Sequence, residues 1–86
     1  MQRKTLVISN NEGLRTRPAT ALVQTAARFK SQVFIEREDR KINAKSLMGV
    51  LSLGLRKGES IDIFVLGDDE KEAMEAIAAL AARDFE

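Results

Sequence analysis

Gly13-Leu14-Arg15-Thr16-Arg17-Pro18-Ala19 is the stretch on which the fold turns. It follows a short apolar, β-branched run, Thr5 to Ser9, in which Leu6 and Ile8 share one side, as in a strand buried on one face. After it, Ala19, Leu22, Val23, Ala26 and Phe29 recur at helical spacing. The stretch is therefore a strand-to-helix junction, with Asn10 to Gly13 as the turn. Thr16 is the expected N-cap, and Pro18 sits in the first turn, where its missing N–H costs nothing. The unpaired amides of that first turn and the positive end of the helix dipole face the loop, an environment that favours an anion.

Reading outward, Gln32 to Glu36 and Lys41 to Asn43 flank Glu38-Asp39-Arg40 and predict a hairpin with a polar turn. Ser46 precedes Leu47-Met48-Gly49-Val50-Leu51-Ser52-Leu53, a helix of about two turns with Ser46 as N-cap and Gly54 as the glycine just past its end. Beyond a Lys57-Gly58 turn, Ile61, Ile63 and Val65 alternate with Asp62, Phe64 and Leu66, the pattern of a central strand with one face in the core. Gly67 closes it. Asp69 with Glu72 three residues on has the spacing of a capping box, and Ala73, Ala76, Ile77, Leu80 and Ala81 form the apolar stripe of a last helix. The order is β-α-β-β-α-β-α, an α+β arrangement that needs a four-stranded antiparallel sheet with three helices on one face.

Composition restricts the functions available. A chain of 86 residues, 44% hydrophobic, fits one domain over residues 1–86 that buries about 60% of its unfolded surface. Lys plus Arg number 14 against 13 acids, so a net charge of +1 gives no footprint for direct binding of nucleic acid. There is no cysteine and no histidine, which removes disulfides, thiol chemistry and the usual zinc sites. No metal or cofactor is expected. The first residues turn polar too soon for a signal-peptide core, and no apolar window reaches the ~20 residues that span a bilayer, so a cytoplasmic protein without membrane attachment is expected.

Two segments carry the candidate chemistry, and both resemble the HPr family of phosphocarrier proteins. Gly13 to Ala19 is similar to the family motif Gly-Leu-His-Ala-Arg-Pro-Ala, whose histidine accepts a phosphoryl group; Arg15 stands in that place, and Arg17 matches the family arginine. Asn43-Ala44-Lys45-Ser46-Leu47-Met48-Gly49 resembles the regulatory segment, whose serine is phosphorylated by HPr kinase/phosphorylase. The resemblance runs nearly end to end and implies the family's open-faced β-sandwich.

The physical chemistry of the two positions differs. A neutral imidazole attacks phosphorus through a free lone pair; a guanidinium stays protonated and only donates. Arg15 therefore cannot relay phosphate from enzyme I, and the chain is expected not to be an enzyme or a carrier. A phosphoserine at an N-cap, by contrast, places about −1.5 to −2 charges beside free amides and the positive dipole end, so Ser46 can be modified without refolding the domain.

A kept serine with a missing histidine resembles the family's catabolite-repression paralogues, which carry glutamine where this chain has Arg15. The resemblance implies phosphorylation of Ser46 and corepression of catabolite control protein A. The alternative is a phosphocarrier of the sugar phosphotransferase system whose histidine has been replaced by Arg15. A third reading is an interaction module for a metabolic enzyme. Arg15, Arg17 and Lys45 are expected to converge on one end of the fold as an anion- or partner-binding face, with Arg15 and Arg17 meeting either a carboxylate on a partner or a phosphate bound by the pair in forked geometry. Leu47, Met48 and Leu51 are expected to be its partly exposed apolar contacts, while Val50 and Leu53 join the core. Phe34, Phe64 and Leu66 point from the open sheet face, either as ordinary surface apolars or as part of a self-association; the resemblance implies a homodimer by exchange of the first strand for the second reading, with Asn10 to Gly13 as hinge.

Overall fold

The computed structural model describes residues 1–86 and contains β1 (Gln2–Val7), α1 (Thr16–Ala27), β2 (Gln32–Arg37), β3 (Arg40–Asn43), α2 (Leu47–Ser52), β4 (Ser60–Leu66) and α3 (Glu70–Ala82). The strands form one antiparallel sheet in the order β1-β4-β2-β3, which makes β4 a central strand as its alternation predicts. The alternation also sets the register: Ile61, Ile63 and Val65 face inward with Leu6, Val33 and Ile35, while Phe64 and Phe34 pair on the other face. A slip of one residue would turn each of these sets to the wrong side.

All three helices cover the inner face, and one core cluster joins them to the sheet. α1 contributes Ala19, Leu22 and Ala26; α2 contributes Val50; α3 contributes Ala73, Met74, Ile77 and Leu80. Val50 and Leu53 are core residues, as expected. Leu14, Ala44, Leu55 and Phe85 are also buried, although none lies in a periodic run. Phe85 reaches the core from a C-terminal turn in which Asp84 and Phe85 both adopt left-handed φ, at 58° and 62°. The β2–β3 hairpin turns through Glu38 and Asp39 alone, with Arg37 opposite Arg40; Glu38, at φ 55°, supplies the left-handed residue that so tight a turn wants.

The helix starts differ from expectation in two places. Thr16 is the first helical residue of α1 and not its cap: Arg15 holds the extended N-cap conformation, its carbonyl accepts from the amide of Ala19 at 2.8 Å, and its side chain makes no capping bond. The capping box at α3 does not form either. Asp69 is the N-cap, but its carboxylate turns back to accept from the amides of Lys30 and Ser31 at 2.9 Å each and from the Ser31 hydroxyl. Ser31 is 1% exposed, so its buried donors take the carboxylate that the helix amides would otherwise have. No helix of the fold is long and apolar enough to cross a membrane.

Candidate functional site

The two candidate phosphate positions are two helix starts in the helical layer. At α2, Ser46 is an N-cap in the full sense: its Oγ accepts from the Gly49 amide at 3.1 Å, its carbonyl from the Val50 amide at 3.0 Å, and its side chain remains exposed. Gly49 permits this approach, because a Cβ there would come within 3.3 Å of the Ser46 Oγ. The hydroxyl hydrogen is not used inside the fold. Behind Ser46, the Asn43 side chain accepts from the Lys45 amide at 2.9 Å and the Asn43 carbonyl from the Ser46 amide at 3.0 Å, so the approach to the cap is rigidly hydrogen-bonded.

At α1, Gly13 makes the junction. Its φ is +66°, and a Cβ would lie 2.2 Å from the Leu55 carbonyl oxygen, so only glycine fits. The next residue, Leu14, donates its amide to that same carbonyl at 3.1 Å and buries its side chain. Together they press the loop before α1 against the loop after α2. Arg15 emerges from this contact exposed, beside an open hollow of about 620 Å³ whose lining includes Glu12, Thr16, Leu51, Arg56 and Lys57.

Of the three cations expected to converge, Arg15, Arg17 and Lys45, the lysine does not join the arginines. Arg17 borders a neighbouring hollow, of about 400 Å³, with Glu12, Pro18, Phe85 and Glu86. Lys45 points the other way: its Nζ donates at 2.8 Å to the Phe29 carbonyl, just past the C-terminal end of α1. Twelve helical residues separate that end from Arg15, about 18 Å along the axis. A lysine there complements the negative end of the dipole. Arg56 and Lys57 are instead the cations that join Arg15. The signal that could have found them is the antiparallel pairing of β1 with β4, which brings the residues just before β4 beside those just after β1; the Gly58 amide donates to the Ile8 carbonyl at 2.7 Å.

Leu47, Met48 and Leu51 are exposed at 36%, 82% and 37%, so α2 shows an apolar outer surface between Ser46 at one end and the Arg15 hollow at the other. On the far side of the sheet, Phe34 and Phe64 are half-buried under cations: the Lys41 Nζ lies 4.7 Å from the Phe34 centroid and the Arg3 guanidinium 5.6 Å from that of Phe64. Arg3 and Thr5 also donate to Asp62, and these bonds, Thr5 first, hold its carboxyl below the ordinary range. That face is occupied by its own side chains except towards its ends, where Val7 is 59% and Leu66 50% exposed. No cluster of metal-binding side chains is present.

Residues 2–83 match the family described as the PTS HPr component phosphorylation site. The HPr-like protein Crh of Halalkalibacterium halodurans is 43% identical over 84 residues, covering 98% of this chain and all of the relative. Among solved structures, HPr-C-His of Thermoanaerobacter tengcongensis superposes with a TM-score of 0.96 at 44% identity, over 99% of this chain and 96% of that one. Crh of Bacillus subtilis, described as a swapped, intertwined dimer, superposes with a TM-score of 0.77 at 39% identity, over 98% and 97%.

Proposed function

The chain belongs to the HPr family, and from that premise we propose that it is a catabolite-repression protein of the Crh kind, regulated at Ser46 and unable to relay phosphate through position 15. Its family relatives are phosphocarriers and regulators rather than enzymes. In the proposed cycle HPr kinase/phosphorylase transfers the γ-phosphoryl group of ATP to the Ser46 Oγ, an O–P bond forms, the hydroxyl proton is lost and ADP leaves. The phosphoprotein then binds catabolite control protein A in the cytoplasm as a corepressor.

The observation that carries this reading is the state of the Ser46 hydroxyl. It is exposed, it sits on a built cap, and its only bond in the fold is one it accepts from Gly49. A phosphate on that oxygen keeps the amide partner and adds charge at the favourable end of α2. The exposed Leu47, Met48 and Leu51 beside it supply apolar contact area, and Met suits a surface that meets more than one partner. Lys45, half-buried and tied to Phe29, positions the segment more than it attracts an anion.

The test is phosphate mapping after parallel incubation with ATP and the serine kinase and with phosphoenolpyruvate and enzyme I. One phosphate on Ser46 in the first reaction and none in the second is expected, followed by binding of the product to the repressor. An inert Ser46, or a phosphoprotein that ignores the repressor, overturns the proposal. The close superposition on a solved HPr favours one competing reading, a phosphocarrier that has lost its histidine. Arg15→His separates the two: restored relay to a sugar transporter would show that the docking surface is otherwise intact.

Dimerisation by exchange of β1 is part of the same proposal. β1 is an edge strand held by one neighbour, and Asn10 to Gly13 connect it to α1. A relative with 39% identity is described as a swapped dimer. Sedimentation after long incubation at high concentration should reveal a dimer; a strictly monomeric protein would remove this element.

A further inference from the structure

We infer that the hollow between the start of α1 and the end of α2 binds a small phosphate monoester without covalent bonding, held by Arg15, Arg56 and Lys57. The inference rests on a charge imbalance that the fold leaves unresolved. Three ion pairs form in the molecule: the N-terminus with Glu70, Arg3 with Asp62, and Arg37 with Glu59. None involves Arg15, Arg56 or Lys57. Lys57 reaches only the neutral Asn11 side chain, at 3.0 Å. The nearby carboxylate that might have balanced Arg56, Glu59, is used by the Arg37 guanidinium and by the Arg56 backbone amide. Three cations thus border one concavity whose rim carries a single acid, Glu12.

Like charges are not brought together without cost; Arg3, Arg40, Lys45 and Lys41 are covered by an acid, a carbonyl or an aromatic ring, whereas the three cations of this hollow border it together without such a partner. A dianion offers what three donors around a concavity lack. Two arginines supply planar forks that match tetrahedral oxyanions, and the lysine supplies a mobile point charge. The volume, about 620 Å³, falls in the range of small-ligand sites and exceeds what a bare phosphate needs. Leu51, 37% exposed on the lining, offers apolar contact to the organic body of the ester. The site is independent of Ser46, which stands at the opposite end of α2, about 9 Å along that helix from its last residue.

The experiment is an amide chemical-shift titration of the unphosphorylated full chain with phenyl phosphate, inorganic phosphate and sodium chloride at matched ionic strength. Saturable shifts centred on Thr16, Arg56 and Lys57 are expected, with phenyl phosphate binding more tightly than inorganic phosphate. Arg15→Gln should weaken phenyl phosphate about tenfold, the value of one charge-assisted hydrogen bond pair. The double variant Arg56→Ala, Lys57→Ala should abolish saturation. Ser46→Ala and Lys45→Ala should leave the titration unchanged, which keeps its outcome separate from that of the regulatory proposal. Shifts that chloride reproduces, or that survive the double variant with its folded spectrum intact, would overturn the inference. Inorganic phosphate binding as tightly as phenyl phosphate would refute the ester body and its contact with Leu51.

Discussion

The start of α1 and the start of α2 lie in the same helical layer and are built in opposite ways. At α2 the N-cap side chain is a hydroxyl that bonds the Gly49 amide; at α1 it is Arg15, which bonds nothing and places a cation against the positive end of the dipole. One start is closed by the chain itself and exposes a usable oxygen. The other is left open and surrounded by positive charge. Under the proposed function, modification chemistry belongs to the first and electrostatic recognition to the second, because a phosphoryl acceptor needs a lone pair that a guanidinium lacks.

The comparison breaks most severely at Gly13. With φ +66° and the Leu55 carbonyl 2.2 Å from where a Cβ would stand, Gly13→Ala costs about 1–3 kcal/mol from the dihedral alone, plus the displacement of the α2–β4 loop. Chemical denaturation should register this loss. The start of α1 and the hollow at Arg15 would suffer, while Ser46 in the surviving folded fraction should still accept phosphate; equal loss at both starts would mean that they are not separate units. Ser46→Ala is the next largest change. It deletes the cap as well as the acceptor, and about 1 kcal/mol of stability should be lost, a fall of roughly 4–8 °C in melting temperature for a domain of this size. A variant with unchanged melting temperature would show that α2 is held by Val50 and Leu53 alone.

Much of this was legible in the sequence, for identifiable reasons. Alternation in Ile61, Ile63 and Val65 and the helical stripe of Ala19, Leu22 and Ala26 are periodic signals that burial enforces, and both survive unchanged. Ser46 was legible because a cap is a local device, specified within four residues. The separation of Lys45 from the two arginines was not, because it depends on which end of α1 each side chain meets, a fact of helix packing. Arg56 and Lys57 sit next to Arg15 only through the β1–β4 pairing, some forty residues apart in sequence. The capping box at Asp69 failed for a related reason: Ser31, distant in sequence, outcompetes the local partner.

Arg15→Asp tests the open start directly. The substitution supplies an acceptor to unpaired amides and replaces an unfavourable charge with a favourable one, so stability should rise by about 0.5–1 kcal/mol. The sign is opposite to that of Ser46→Ala, although both change an N-cap. A loss of stability would mean that Arg15 has a stabilising partner in solution, and would place the cation in the fold's own energetics instead of in recognition.

The smallest effect comes from the third helix start, where Asp69 serves the chain before β2 instead of its own helix. The Ser31 hydroxyl and the Lys30 amide hold its carboxyl below the ordinary aspartate range. A depressed folded value means that the bonded anion stabilises the fold at pH above the ordinary value, and that this contribution disappears as pH falls through that value toward the folded one. The acid limb of stability should therefore be confined to pH below about 4. Asp69→Asn removes the titrating group, so its denaturation midpoint should fall less than wild type's between pH 5 and 2.5. Asp62 and Glu70 are depressed as well and keep a residual slope in the variant. Parallel curves for the two proteins would mean that the Ser31 contact contributes no proton-linked stability, and that the α3 start is held by packing of Ala73 and Ile77 instead.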